Sequence, residues 1–450
     1  MKRILGMTLG IVLVLLLSVS VALADEEKQN GAYTYQIKGN GTAVITGYDW
    51  ENHEGEDIYI PRMVDGYTVT EIGEFAFSHY SFDDNGNPEL GNFFSDAMAG
   101  SLVIPDTITT IGKGAFFGIT LASKAINIPN SVGFIGEGAF SYIFGVEQFA
   151  VGAQNPVYAT IDGVLFNKKE KALIAFPCDK QGTGDKENYT FPDGITTIAN
   201  YACYGFNHRA SSISFSHTDI RYVVFPETIT SIGNYSFANA EITTVSSEHH
   251  LTLPKSVSQL GIGAFRGANS RDVDTVIDLG LTNLHEIPDY AFYGWNIDNI
   301  VFPKQVETIG AYAFSELSGY PDFIIPSSVK EIKRGAFSSS GSSHVCAKFK
   351  FEEGSHLQSI GDCAFEGTGI WEEIVLPNGL KDIGNSAFKS CKYLEKITIP
   401  ASVSSIGKDV CTRESVYLNV ESGSYAASWA SENGYMTTGT GSEDTSWLND

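Results

Sequence analysis

Apolar positions recur along this chain in a fixed skeleton, seen most clearly between Cys391 and Cys411. Take Ile406 as origin. Val403 stands three residues before it, Pro400 six, Ile399 seven and Ile397 nine, and Cys411 closes the unit five residues after it. A shift of 23 residues upstream returns Ile374, Leu376, Pro377, Leu380, Ile383 and Phe388 at the same points. Twelve origins follow this rule: Ile72, Ile111, Ile135, Ile198, Ile232, Leu260, Ile287, Ile309, Ile332, Ile360, Ile383 and Ile406. The residue three before the origin is aliphatic in all twelve, and the one five after it is Phe in ten and Cys in two, Cys203 and Cys411. Ala precedes that Phe or Cys in ten copies, Gly follows the origin in nine, and a Pro lies six before it in nine. A fixed period in the twenties is the mark of a solenoid.

Each point has a physical meaning. Leu394, Ile397 and Ile399 lead into period-two alternation just before Pro400, which predicts a short strand with one buried face. Pro lacks an amide hydrogen and ends the ladder. The aliphatic residue, the origin, the Ala and the Phe then follow at turn or helical spacing. The Gly permits a tight backbone or a close neighbour. Phe and Ala are expected to stack coil on coil as a buried spine, because one coil cannot cover this face alone.

The pattern L-x-x-I-x-I-P-x-x-V-x-x-I-G-x-x-A-F resembles the BspA-type leucine-rich repeat, over about 33–435 of the chain. Departures are local. The copies at Ile287 and Ile360 lack the Pro, the first copy has it upstream at Pro61, and Ala199, Pro288 and Lys333 stand in place of Gly. The resemblance implies an α/β-type repeat solenoid, with short parallel strands on one face and turns or short helical segments on the other. It also implies a secreted or surface protein engaged in adhesion to matrix proteins or other cells.

The ends and insertions complete the organisation. Residues 1–24 read as a secretory leader: Lys2 and Arg3, an apolar run, then Ala22-Leu23-Ala24. No wall-sorting signal is expected at the other end. Residues 25–60 are predicted to form a capping hairpin, YTYQI and TAVITGY around Gly39-Asn40-Gly41, followed by a flexible acidic stretch. The solenoid spans 61–417, with inserts near 78–100 and 142–190. In the second insert, 161–166 and 173–176 read as two strands around a charged turn. Residues 418–436 form a C-terminal cap with a short helix N-capped by Ser424, carrying Tyr425 and Trp429 on one face. The tail 437–450 is polar, acidic and predicted to be disordered.

Charge excludes some functions. The chain carries a net −24, or −26 without the leader. Phosphate backbones and anionic lipid repel such a surface, so neither nucleic acid nor a bilayer is an expected partner. No segment after the leader is apolar enough to span a membrane. The six cysteines form no C-x-x-C pair and are expected as structural thiols rather than ligands or nucleophiles. Asp83, Asp84, Asn85, Asn87 and Glu89 have calcium-like oxygen density, but Pro88 stands where an EF-hand needs Gly, so a solvated turn is expected. His249-His250 lacks a third ligand. No cofactor is implied. G-x-S-x-G, H-E-x-x-H and phosphate-binding loops are absent, so no enzyme is expected.

The candidate site is a surface. The residue two before each Pro is predicted to point outward: Val103, Asn127, Thr190, Val224, Thr252, Val301, Ile324, Val375 and Thr398. Stacked strands place these in a row at spacings of about 5 Å. Five of the nine are aliphatic. Tyr222, Trp371 and Trp295 are nearby aromatic anchors. A monomeric adhesion module is expected, docking a protein ligand of the host matrix or a neighbouring cell on Val224, Val301, Ile324, Val375, Thr398, Tyr222 and Trp371, or on the insert loops. A glycan-binding module is the alternative. A hydrolase with a cryptic site is a third reading.

Overall fold

In the computed structural model, residues 26–78, 80, 98–180, 188–206, 222–240, 243–244, 250–268, 276–319, 321–340 and 348–439 are described. The leader, the 83–89 cluster, most of the first insert, His249, Cys346 and the tail beyond 439 lie outside them.

The described residues form a β-solenoid. Each coil contributes twice to parallel ladders. The outer strands, most of them just before a Pro, stack as one row, eight from Asn188–Thr190 to Lys348–Phe351, in which only Thr243–Thr244 and His250–Thr252 pair antiparallel, and four more from Glu372–Val375 to Thr437–Gly439. The origin closes a second strand in every coil, of two residues in all but the first (Tyr67–Ile72), and the last six of these stack from Glu286–Ile287 to Ser405–Ile406. Turns rather than helical segments occupy the rest of the coil. Helix among the described residues is confined to Trp50–His53 and Tyr425–Glu432.

The repeat positions explain this shape. After eight of the nine Pro that stand six before an origin, the residue three on bonds back to the Pro carbonyl, as Val306 to Pro303 at 3.2 Å and Val403 to Pro400 at 3.2 Å, closing a β-turn. The Phe amide then reaches the next coil: Phe314 donates to Ala336 O and Phe365 to Ala387 O, both at 2.8 Å. A small residue before the Phe allows that approach. The rings stack between coils, with Phe292–Phe314 centroids 5.5 Å apart and 6° from parallel, and Phe365–Phe388 at 5.0 Å and 5°. Cys203 and Cys411 fill the same spine as small buried groups.

Ser236 takes the place of Ala in one coil. It is fully buried, and its hydroxyl has no partner among the described residues. Ser236→Ala removes that desolvated group without a cavity. Urea melts are expected to show a gain of about 1 kcal/mol; a loss of stability would mean that the hydroxyl is satisfied.

One regularity was not visible beforehand. The third residue after the origin has positive φ in all twelve coils, from 49° at Asp409 to 64° at Gly138. Only some are Gly; Phe75, Tyr201, Tyr235, Tyr290 and Tyr312 also adopt it. Aromatics in consecutive coils stack, Tyr201 on Tyr235 at 5.5 Å and Tyr290 on Tyr312 at 5.1 Å, and a Gly follows in the next coil each time. A Cβ on Gly114, Gly263 or Gly335 would strike the ring of Phe75, Tyr235 or Tyr312 in the coil below, at 2.2, 2.6 and 2.4 Å. At these three junctions the ring of the coil below leaves room only for Gly.

At the N-terminal end, Tyr33–Ile37 and Thr42–Tyr48 pair antiparallel, and Thr42–Tyr48 pairs parallel with Tyr67–Ile72 of the first coil. The acidic stretch expected to be flexible contains the short helix instead. Trp50 is buried there, its indole N–H donating to Phe77 O at 3.2 Å. The second insert also differs from its two-strand reading. Asp162 and Gly163, with φ of 48° and 72°, turn the chain between Tyr158–Ile161 and Val164–Asn167, and Ala172–Ala175 adds a third strand. Positive φ at both central residues is the signature of the Asp-Gly hairpin turn. Val164, Leu165, Leu173 and Ala175 are buried, so this hairpin sits within the stack as a coil in its own right.

At the other end Ser424 Oγ accepts from Ala427 N, and Ala426, Trp429 and Ala430 form the buried helix face. Tyr425 is exposed, so it does not share the Trp429 face. Thr437–Gly439, placed in the disordered tail by composition, pairs with Tyr417–Val420. Backbone pairing with an open strand outweighs polar composition there.

Candidate functional site

The structure puts the outward row on the exposed side of the parallel ladder. Val301, Ile324 and Val375 are 42%, 55% and 57% exposed. Val103, Asn127, Thr190 and Thr252 are exposed as well, whereas Val224 and Thr398 are half-buried. For Tyr222 only the backbone is described, pairing with Asn188 and Thr243. Trp295 is no surface anchor. It is fully buried against Phe265 and Phe292, with its indole N–H bonded to Phe265 O.

The row is not a continuous apolar strip. Coils without the Pro still supply a strand, because a ladder needs only backbone groups. Asp278 therefore pairs with Val301, and Lys350 with Ile324. Val301 and Ile324 form one aliphatic patch between these charges. Val375 pairs with Thr398 beyond Lys350, and Thr398 with Asn419. Counting only Pro-containing coils hid both interruptions.

Two of the lapses in the ladders lie beside an open groove. On the outer row no strand pairing joins Lys348–Phe351 to Glu372–Val375. A groove of about 850 Å³ opens there, lined among others by Lys350, Glu352, Trp371, Glu373, Val375 and Thr398. The structure thus brings Trp371, Val375 and Thr398 together, with Val301 and Ile324 on the same face and Val224 several coils away. The second lapse falls between Gln259–Leu260 and Glu286–Ile287, beside a groove of about 460 Å³. Its cause is one residue. In neighbouring coils the amide after the origin donates to the origin carbonyl of the coil before, as Gly261 to Ile232 and Gly310 to Ile287, both at 2.8 Å. Pro288 has no such hydrogen. The Phe265–Phe292 stack at 5.5 Å continues beneath it, so the core stays closed where the surface ladder opens.

Around the larger groove the polar groups are fixed. Glu373 accepts from Lys396 Nζ at 2.9 Å and from Thr398 Oγ1 at 2.8 Å, and Asn419 Nδ2 donates to Thr398 Oγ1 at 3.1 Å. The Lys396 ammonium, with Thr398 behind it, holds the Glu373 carboxyl below its ordinary range. Trp371 is 48% exposed, stacks on Tyr393 at 5.5 Å and 25°, and donates its indole N–H to Glu372 Oε1 at 3.0 Å. Glu372 has φ +58°, and Glu373 N donates to Trp371 O at 2.8 Å. That pair defines a γ-turn of the rarer positive-φ form, and it coincides with a register shift at Glu372/Glu373. Sequence reasoning selected Trp371 but missed Glu372, Glu373 and Tyr393. The doubled Glu after Trp was the available signal, since it offsets the period-two alternation of the strand that follows.

The thiols are ill-suited to chemistry. The five described cysteines are free, and Cys178, Cys203, Cys391 and Cys411 are buried. Burial pushes the Cys178, Cys203 and Cys391 thiols up and Cys411 to about 12; Cys363, half-exposed, is raised to about 11, first by burial and then by Glu366. Thiolate is the reactive form, and none of these environments favours it. Among the described residues no group of three or more His, Cys, Asp or Glu gathers as a metal site. No helix among them is long and apolar enough to cross a membrane.

Coil, spine and paired parallel ladders define a leucine-rich repeat solenoid. The chain belongs to the BspA type leucine rich repeat family, whose model matches residues 91–176, 208–341 and 285–418 in six copies. No curated protein matches the chain. Similar solved structures include a leucine rich cell surface protein from Faecalibacterium prausnitzii, 18% identical, covering 95% of this chain and 98% of that one with a TM-score of 0.46. A leucine-rich repeat protein from Eubacterium ventriosum, also 18% identical, covers 78% of this chain and 96% of its own, at a TM-score of 0.46. One from Bacteroides ovatus is 17% identical, covering 92% and 99% at 0.44.

Proposed function

We propose that the protein is a surface-associated, extracellular binding module that docks a protein ligand on its outer strand face, without catalysis. The observation that carries this reading is the exposed aliphatic pair Val301 and Ile324, with Val375 and Trp371 beyond Lys350 on the same face. These side chains stand on paired strands, so they present apolar area with little ordering cost on binding. Family membership supports the reading, since leucine-rich repeat proteins usually bind protein partners. The leader-like 1–24 segment supports an exported location. The net −24 charge favours a basic partner surface and an association rate that falls with salt.

Replacing Val301, Ile324 and Val375 together with Lys tests it. The three side chains lie outside the buried spine, so the melting curve is expected to stay in place. Capture of matrix proteins and of whole cells is expected to fall to background. Unchanged capture would move the site to the insert regions 78–100 and 142–190, and unfolding would show the face assignment to be wrong.

A further inference from the structure

We infer that the groove between Lys348–Phe351 and Glu372–Val375 is a carbohydrate subsite, in which the exposed indole of Trp371 packs against the C–H face of a neutral hexopyranose. This rests on the outer strand face being the binding surface, and it names the ligand class of one part of it.

Three observations point the same way. First, a nearly half-exposed Trp is held in place rather than left loose. Tyr393 stacks on it at 5.5 Å, Lys392 Nζ lies 5.3 Å from the Tyr393 ring centre, and Glu372 accepts its indole N–H. A fixed aromatic ring binds with little loss of its own freedom. Second, the backbone beside it is strained. A non-Gly residue at the centre of a positive-φ γ-turn persists only when its surroundings over-determine it, and such strain gathers at ligand sites. Here Glu372 N is fixed to Tyr393 O at 2.9 Å while Glu373 N closes the turn on Trp371 O. Third, carboxylate and ammonium groups both line the groove, Glu352, Glu353, Glu372 and Glu373 with Lys348 and Lys350, and Lys396 pairs with Glu373 from outside it. Sugar hydroxyls both donate and accept, and this mixture offers both functions.

Size separates this groove from the aliphatic patch. At about 850 Å³ it lies in the range of small-ligand clefts, roughly 300–1,000 Å³. Of its apolar lining beside Trp371 only Val375 is exposed, Phe349, Leu376 and Pro400 being buried and Phe351 and Pro377 half-buried, and Lys350 separates Val375 from Ile324. A standard protein partner needs about 800 Å² of contact, which this spot alone does not offer. The sugar can belong to a free polysaccharide or to a glycosylated protein that also touches Val301 and Ile324.

The test titrates the full chain with neutral hexaoses of glucose, mannose, galactose and N-acetylglucosamine, followed by tryptophan fluorescence and saturation-transfer NMR. At least one sugar is expected to bind saturably. Trp371→Ala is expected to weaken it about tenfold or more with no shift in melting temperature, and Trp371→Phe to retain part of it. Leu281→Ala, an exposed apolar residue elsewhere, is expected to leave it unchanged. Loss of protein capture after enzymatic deglycosylation of the partner would mark a protein-borne glycan; binding of the soluble sugar with capture unaffected would mark a free chain. The proposal is overturned if no hexaose binds up to about 10 mM, or if Trp371→Ala binds as the parent does. If protein capture still depends on Val301, Ile324 and Val375, the docking face survives that failure. If capture does not depend on them either, both readings fall.

Discussion

Phe314→Ala is expected to destabilise the protein by about 3–5 kcal/mol, the range for truncating a buried aromatic. Phe314 is 1% exposed. Its ring stacks on Phe292 and Phe337, each at 5.5 Å, and meets Phe302 and Phe323 edge-on at 5.6 and 6.0 Å. Truncation therefore leaves a cavity bordered by two further coils, whose spacing is fixed by backbone bonds such as Phe314 N to Ala336 O at 2.8 Å. Those bonds prevent collapse into the hole. Phe388 has one aromatic spine neighbour, Phe365, and then the smaller Cys411, so Phe388→Ala belongs at the lower end of that range. Because coils contact only their neighbours, the lesion is also expected to broaden the transition, the C-terminal coils separating from the rest. Urea melts followed by far-ultraviolet circular dichroism measure both effects. A loss under about 1 kcal/mol at Phe314 would show that the spine is not the principal source of stability.

A second large loss is expected from adding a side chain where coils touch through backbone alone. A Cβ on Gly384 would lie 2.4 Å from Asp362 N and 2.5 Å from Gly361 C. Gly310, Gly361 and Gly407 meet the coil before them in the same way, within 2.4–2.6 Å. No side chain can swing aside to make room. Gly384→Val must lift one coil from the next and lengthen the Gly384 N to Ile360 O bond, now 2.8 Å. The expected cost is about 3 kcal/mol or more, at or beyond the upper end of ordinary overpacking. Gly39→Ala is the control, since nothing lies within 4 Å of its Cβ position. It is expected to change stability by less than about 0.5 kcal/mol. Equal effects at the two glycines would remove the close-approach explanation for the Gly that follows most origins.

The solenoid was legible in the chain because its cause is local and repeated. Each coil buries the same few positions against its neighbours, so selection for burial writes the same five-point pattern at every turn. Val403, Ile406 and the Phe of the spine carried that message without reference to any distant residue. The outward direction of Val301, Ile324 and Val375 followed from period-two alternation for the same reason. What the pattern could not carry was how one coil meets the next. Pro288 opens the ladder only because Leu260 O, 28 residues upstream, faces an amide that is missing. Lys350 and Asp278 enter the outer row only because strands pair by backbone, whether or not a Pro follows. Trp295 and Trp371 look alike in sequence, yet one is sealed between Phe265 and Phe292 and the other stands beside a groove. Their difference lies in contacts between coils, and these are fixed only when the coils are stacked.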